Sequence, residues 1–285
     1  MFSLEILERI VGEGWLVLLL TPLISLAIFL TIVGVGVLQR GRDALEWTPG
    51  LKKSALTNWT FMVFNRICAP IIAIVVPYAL FFHVSLGLPR LDPSFWDAKP
   101  ILLQALIGLL ASEFVIYWVH RLMHTRLLWP IHAVHHSDRD MNYMTGDRAH
   151  ILERMLTRFV SVFCLFSLGA RIEIVIAIVI FAELHDFYVH AKLDIDHGPF
   201  NWLIASPQMH QWHHADHPDA YGKNLAIILP IWDKLFGTYY NPGKVDVPLG
   251  FADAPGHNFF ALMAHPFVAW WRMAQRRRDD LAPAE

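Results

Sequence analysis

Charge is scarce in this chain. Only 17% of its 285 residues are Asp, Glu, Lys or Arg, while 55% are hydrophobic and mean hydropathy is +0.40. A soluble domain carries about 25% charged residues, so the deficit points to a membrane protein. The few charges nearly cancel, at −2 with histidine neutral, which argues for neither nucleic acid nor an acidic partner. Cysteine is almost missing too. Cys68 and Cys164 each lie in an apolar run without metal-motif spacing and read as packing residues. The start lacks the basic stretch and small-residue cleavage site of a secretory signal: Glu5, Glu8 and Glu13 outnumber Arg9. The first apolar run therefore reads as a retained helix. There is no internal repeat and no low-complexity linker, so a single membrane domain is expected over 1–285.

The apolar runs set the expected topology. Gly14 to Val37 carries no charge and, with Pro22 as a bend, is about 36 Å of helix, enough to span a bilayer. Ile67 to Leu88 is a second run, interrupted by Pro70 and Pro77. Ile101 to Val119 is the third, with Glu113 its only charge. Arg40, Arg42, Lys52, Lys53 and Arg66 crowd the polar connection between the first two, and Arg272, Arg276, Arg277 and Arg278 mark the tail. By the positive-inside rule both face the cytoplasm, and the third span delivers His120 to that side. Met155 to Leu184 is long for one crossing and is interrupted at Leu168-Gly169-Ala170-Arg171 and Glu173. A shared site for all the histidine clusters requires it to go out and back, as a hairpin with its tip near Gly169 to Arg171. The expected fold is all-α: a helix bundle of four to five membrane segments with a cytoplasmic histidine-rich cap. Residues 1–100 hold the N-terminal spans, 101–241 the catalytic region and 242–285 a cytoplasmic tail.

What the chain has in excess is histidine, 16 in all. Three clusters read H-R-L-M-H (His120, His124), H-A-V-H-H (His132, His135, His136) and H-Q-W-H-H (His210, His213, His214). Side chains three and four apart share one face of a helix, so each cluster is one patch of ligands. Trp129-Pro130 and Ser206-Pro207 supply helix starts for the second and third patches. Burying so many imidazoles without partners is costly. No single metal needs eight, whereas two ions do, and imidazole suits iron, zinc, copper and nickel. A dinuclear centre, iron favoured, is the reading.

Several of these features together resemble the fatty acid hydroxylase and sterol desaturase superfamily of integral-membrane non-haem di-iron enzymes. The resemblance covers roughly Ile101 to Asn241. Beyond the three clusters it rests on His190 in Y-V-H-A, Asn142, the R-A-H-x-x-E stretch (Arg148, His150, Glu153), Y-G-K-N (Tyr221 to Asn224) and W-D-K-L-F-G-T (Trp232 to Thr238). It implies two Fe ions held by His120, His124, His132, His135, His136, His190, His210, His213 and His214. His185 is a further candidate ligand, although five residues from His190 is one more than helical spacing favours. His150 is either a ligand or, as favoured, the partner of a carboxylate near the ligands. Glu113 and Asn142 are the candidate catalytic residues. A charge within a span is functional by default, and the alternative for Glu113 is pairing with Arg121 or another helix. Glu183, Asp138 and Asp216 are outer carboxylate candidates. His83, His257 and His265 read as ordinary, and His197 and His217 as solvated loop residues.

The implied chemistry is attack on an unactivated C–H bond using O2 and two external electrons. Hydroxylation and desaturation share the first hydrogen abstraction, and substrate position selects between them. A lipid fits a site at the ends of spans, with Trp118, Trp129, Trp202, Trp212, Tyr143 and Phe187 as channel or interfacial-belt residues. No H-P-G-G haem motif is present, so the electron donor is expected to be separate, a ferredoxin or a b-type cytochrome with its reductase. The Arg272 to Arg278 stretch reads as a topology signal ahead of a docking site. Other classes fit poorly. His120 and His124 enclose no glutamate, as a zinc hydrolase would require. A transporter places its ligands mid-span, and a haem protein needs no three tight clusters. A desaturase or carotenoid-type hydroxylase is the alternative within the superfamily. The multi-pass topology fits a bacterial inner membrane, favoured by the lack of a retrieval signal at Pro283-Ala284-Glu285, or an organelle.

Overall fold

The computed structural model describes residues 27, 29–39, 41, 46, 48–69, 71 and 75–279. Most of the expected first span, with Pro22, Arg40 and Arg42, lies outside them, as do Pro70 and Pro283 to Glu285. The chain divides into two units, 1–46 and 47–285. In the first, α1 is the short apolar helix Phe29–Gln39.

The second unit is helical, with no strand among the described residues and one isolated β-bridge, Ala215 to Leu249. It opens with α2 (Pro49–Ile67), a helix where the sequence suggested a short connection. Thr48 accepts from Leu51 N at 3.1 Å and Pro49 occupies the first position, a strong start. The buried residues of α2 include Ser54, Thr57, Asn58 and Asn65, so no apolar period announces it. α2 stops at Ile67, the first residue of the expected second span, and the helix described within that run is the 11-residue α3 (Val75–Ser85).

Next comes α4 (Ile101–Met123), 23 residues whose only Asp, Glu, Lys or Arg side chains are Glu113 and Arg121. It is the one described helix long and apolar enough to cross a membrane, at about 35 Å. α5 (Trp129–His136) follows after a short turn. α6 (Ile151–Ser167) and α7 (Ile172–His190) then form the expected hairpin, with its turn at 168–171. The turn is a Schellman motif: Ala170 N donates to Leu165 O, Gly169 N donates to Phe166 O, and Gly169 has φ +64°. Both arms lie along α4, where Leu165, Ile174 and Ile178 pack against Ala105 and Leu109. Gly108 of α4 allows this approach, since a Cβ there would press into Ile178. The hairpin thus carries His190 back to the level of α5.

α8 (Pro207–His213) is capped as expected by Ser206, whose Oγ accepts from Met209 N at 3.3 Å. α9 (Ile231–Phe236) ends at Gly237 with φ +74°. The expected tail holds α10 (Phe259–Asp279), which packs on α5 and seats Leu262 against Phe61 and Val134.

Candidate metal centre

Four helices deliver imidazoles to one place: α4 at its C-terminal end, α5, α7 at its last residue, and α8. The ring nitrogens sort into two sets in which all ligand atoms lie within 4.8 Å of one another. The first set is His120, His124, His132, His136 and His213; the second is His135, His190, His210 and His214. α5 and α8 feed both. Consecutive residues point into different sets, with ring planes at 88° for His135 and His136 and 90° for His213 and His214. The two sets abut, since His136 stacks on His214 with ring centroids 4.4 Å apart.

The inner geometry follows from what holds the outer nitrogens. Nδ1–H of His120 donates to Leu225 O at 2.6 Å and that of His213 to Lys223 O at 2.8 Å. His190 Nδ1–H donates to Asp186 O at 2.7 Å, with the Asp186 carboxylate 3.3 Å away. His132 Nδ1–H donates to Glu153 Oε1 at 3.0 Å. Each bond fixes the tautomer and turns the Nε2 lone pair inward. His120 Nε2 and His132 Nε2 then face each other at 2.9 Å, and so do His190 Nε2 and His210 Nε2. With the His132 proton on Nδ1 toward the Glu153 carboxylate, His120 and His132 present facing lone pairs with no proton between them, which repels unless a cation intervenes. Nitrogens at right angles about one ion, each about 2.1 Å from it, sit about 3.0 Å apart. Buried ring nitrogens without a partner add to the set: Nε2 of His124 and His213, Nδ1 of His135 and both of His214. The donor set fits two metal ions of the borderline class.

Burial, and after it the neighbouring imidazoles, holds His132, His135, His136, His210, His213 and His214 far below the ordinary histidine pKa. They are neutral at neutral pH, the form that binds metal.

One short segment positions two ligands. Asn224 is in the left-handed region at φ +53°, and the carbonyls on either side of it, Lys223 O and Leu225 O, accept hydrogen bonds from His213 and His120 Nδ1–H. The Asn224 side chain holds the turn by donating to Met209 O and Tyr240 O and accepting from Tyr240 N. Asp233 accepts from Leu225 N, Ala226 N and Thr238 Oγ1, and burial still pushes its carboxyl up to about 6. Glu113 accepts from Ile228 N at 2.8 Å. The candidate catalytic residue Glu113 therefore lies outside both sets, gripping the backbone that orients His120. It does not pair with Arg121, which donates to Tyr117 Oη and lies over Trp118.

Other expected residues also lie apart. Asn142 caps the turn Tyr143–Asp147 and donates to Ser54 Oγ. It belongs to a buried cluster around Asp138, which accepts from Ser54, Asn58 and Thr145 and lies 3.6 Å from Arg148. Burial alone would raise the Asp138 carboxyl, but Arg148 and these hydrogen bonds hold it below its ordinary value. His185 is buried beside Phe181 and Tyr188 and joins neither set. His150 meets no carboxylate; it caps α6 by accepting from Leu152 N and donates to Met263 O. Glu183 pairs with Arg66, and Asp216 accepts from Tyr221. His197 is no free loop residue, since it stacks on Tyr188 and bonds its hydroxyl at 2.7 Å.

The carboxylates that do touch ligands are Glu153 and Asp186. The sequence reading missed Asp186, which its spacing four residues before His190 could have revealed; it named Glu153 only as part of the R-A-H-x-x-E stretch, and the contact with His132 on another helix gave no local signal. Of the six expected aromatics Trp129 touches the histidines, with its ring 5.4 Å from His124 and 5.2 Å from His136.

Residues 105–238 match the family described as fatty acid hydroxylase. The ornithine lipid hydroxylase OlsE of Rhizobium tropici is 32% identical over 61% of this chain and 53% of its own length. Human alkylglycerol monooxygenase is 31% identical over 50% of this chain and 32% of its own. The very-long-chain aldehyde decarbonylase GL1-11 of Oryza sativa subsp. japonica is 25% identical over 62% and 66%. The chain thus spans about half of the first of these relatives and about a third of the second. No solved structure matches.

Proposed function

We propose, from the match of residues 105–238 to the fatty acid hydroxylase family, that the chain is a membrane-bound di-iron oxygenase that hydroxylates an unactivated C–H bond of a membrane lipid. The observation that carries this reading is the division of nine inward-turned imidazoles into two adjacent sets. Two irons bound there would supply the activation of O2, with electrons from a separate ferredoxin or b-type cytochrome.

His120, His124, His132, His136 and His213 hold one ion and His135, His190, His210 and His214 the other. Glu153 and Asp186 orient His132 and His190. Leu225 O and Lys223 O orient His120 and His213, with Glu113, Asp233 and Asn224 fixing that segment. Asn142 acts at a distance, through the Asp138 cluster beside α5. His124 is the one ligand of the nine that is not fully buried. Trp129 flanks it, and the substrate approaches along that edge.

The substrate class follows from two supports. The ligands sit at the end of the apolar helix α4, where a lipid chain enters from the bilayer. Two relatives are named for an ornithine lipid and an alkylglycerol. α4 crosses the membrane, the α6–α7 hairpin enters and returns, and the centre faces the cytoplasm, in a bacterial inner membrane for preference. The catalytic region is 101–241.

The test is metal analysis of full-length protein purified without oxygen, followed by turnover with 18O2, a reductant and membrane lipids. About two irons per chain in a coupled centre, with 18O in a lipid hydroxyl, is the expected result. A new double bond without oxygen assigns the desaturase alternative. Zinc that persists under iron-replete expression, with no redox response, overturns the oxidative reading.

A further inference from the structure

The C-terminal helix α10 has three chemically distinct sides. One faces the protein: Leu262 is fully buried, and Trp270 donates from Nε1 to Leu127 O at 2.7 Å. A second is apolar yet uncovered. Phe260, Phe267, Val268 and Trp271 recur at i, i+7, i+8 and i+11, a single stripe at 3.6 residues per turn. All four are exposed, Phe260 by 79% and Trp271 by 60%. The third side is basic, with Arg272 and Arg276 exposed one turn apart along the edge of the stripe. An apolar stripe with Trp and Phe, edged by arginine, suits a boundary between acyl chains and anionic headgroups.

The depth of α10 fits that boundary. Leu127, which Trp270 grips, lies four residues beyond the end of α4, the helix long enough to cross. The last turns of α4 and the turn after it expose Trp118, Leu122 and Leu127. The apolar surface of α4 therefore runs on toward α10, and the tryptophan-to-carbonyl bond holds α10 at the level where α4 leaves the apolar layer. Trp270 and Trp271 stand where tryptophan is enriched in membrane proteins.

We propose that α10 is an in-plane membrane-surface helix, with Phe260, Phe267 and Trp271 among the acyl chains and Arg272 and Arg276 against anionic lipid phosphates. An acidic protein partner would match the arginines but not the stripe. A second copy would match the stripe but leave the arginines facing their own kind. The inference is independent of the metals, so it stands or falls separately from the proposed activity.

A nitroxide label placed by Trp271→Cys, in the full chain with Cys68→Ala and Cys164→Ala, reads the contact. Phe260→Cys serves as a second site on the stripe, and Asp253→Cys as a control in an exposed loop. In phosphatidylcholine nanodiscs, with and without phosphatidylglycerol, labels at 260 and 271 should be relaxed by oxygen severalfold more than by a water-soluble nickel chelate. The label at 253 should show the reverse. Reversing both charges, Arg272→Glu with Arg276→Glu, should reduce the lipid contact at 271 in the anionic discs and not in the neutral ones. Nickel access at 271 equal to that at 253 overturns the proposal. So does shielding at 271 accompanied by label-to-label dipolar coupling, which assigns the face to a second copy. Lipid contact indifferent to both phosphatidylglycerol and charge reversal removes the anionic headgroup from it.

Discussion

The His132 ring is set by Glu153, and this single contact distinguishes a carboxylate that works through a ligand from one that works through the backbone. A hydrogen-bonded carboxylate makes an imidazole a better donor and fixes its tautomer, and loss of such a partner costs about 10–100-fold in metal affinity. Glu153→Gln should weaken metal retention by about that factor, measured by competition with a chelator of known strength. Glu113→Gln should leave retention unchanged, because an amide oxygen still accepts from Ile228 N. Equal losses in both would place Glu113 at the metals after all. His213→Ala is expected to remove metal from the five-histidine set, whereas His185→Ala should retain both ions. Asp138 tests the structural cluster. Its removal leaves Arg148 buried with its charge uncompensated, so Asp138→Ala should cost about 3–5 kcal/mol in denaturant unfolding. The nine histidines that gather in the two sets were legible because helical spacing and the family resemblance acted together. Glu153 was named only within a family stretch and Asp138 only as an outer carboxylate; their partners were not legible, because each arrives from another element: His132 is 21 residues from Glu153, and Ser54 is 84 residues from Asp138.

The hairpin of α6 and α7 was readable because a site shared by all the histidine clusters required the long apolar run to turn back, and Leu168-Gly169-Ala170-Arg171 with Glu173 was where it broke. The structure adds why the glycine is there. Its turn docks on the loop before α4, with Leu91 N donating to Ser167 O at 2.9 Å and Trp96 Nε1 donating to Leu168 O at 2.8 Å. A Cβ at position 169 would collide with the Leu91 carbonyl, and the left-handed conformation adds strain. Gly169→Val should destabilise the protein by roughly 1–3 kcal/mol in a thermal melt. Protein that remains folded at low temperature should keep its metals, since the turn lies at the far end of the hairpin from His190. α2 shows the opposite case. Its buried side is built from Ser54, Thr57, Asn58 and Asn65, which bond the Asp138 cluster and the carbonyls of Asp147, Ala149 and His257. A helix that buries hydrogen-bonding groups carries no apolar stripe, so periodicity gives no sign of it.

At the scale of the whole molecule, the two histidine sets bring together parts of the chain from position 120 to position 214. The histidines come from α4, α5, α7 and α8, and their outer partners from α6, α7 and the 223–225 segment. Without metal, nine imidazoles confront one another in a buried space, and the His120 and His132 nitrogens facing each other at 2.9 Å oppose the fold. With metal, the same atoms become cross-links between sequence positions 120 and 214. Ligand binding stabilises the folded state by mass action, about 2.7 kcal/mol at a free metal concentration a hundred times Kd. Stripping iron with a chelator should therefore lower the Tm by several degrees, and returning ferrous iron should restore it. The protection lost should extend over α4 to α8 together when amide exchange is followed, because each set draws on more than one of these helices. Loss confined to α8 would mean that the other helices hold their places without the ions. The centre would then be a preformed cage rather than a part of the fold's stability.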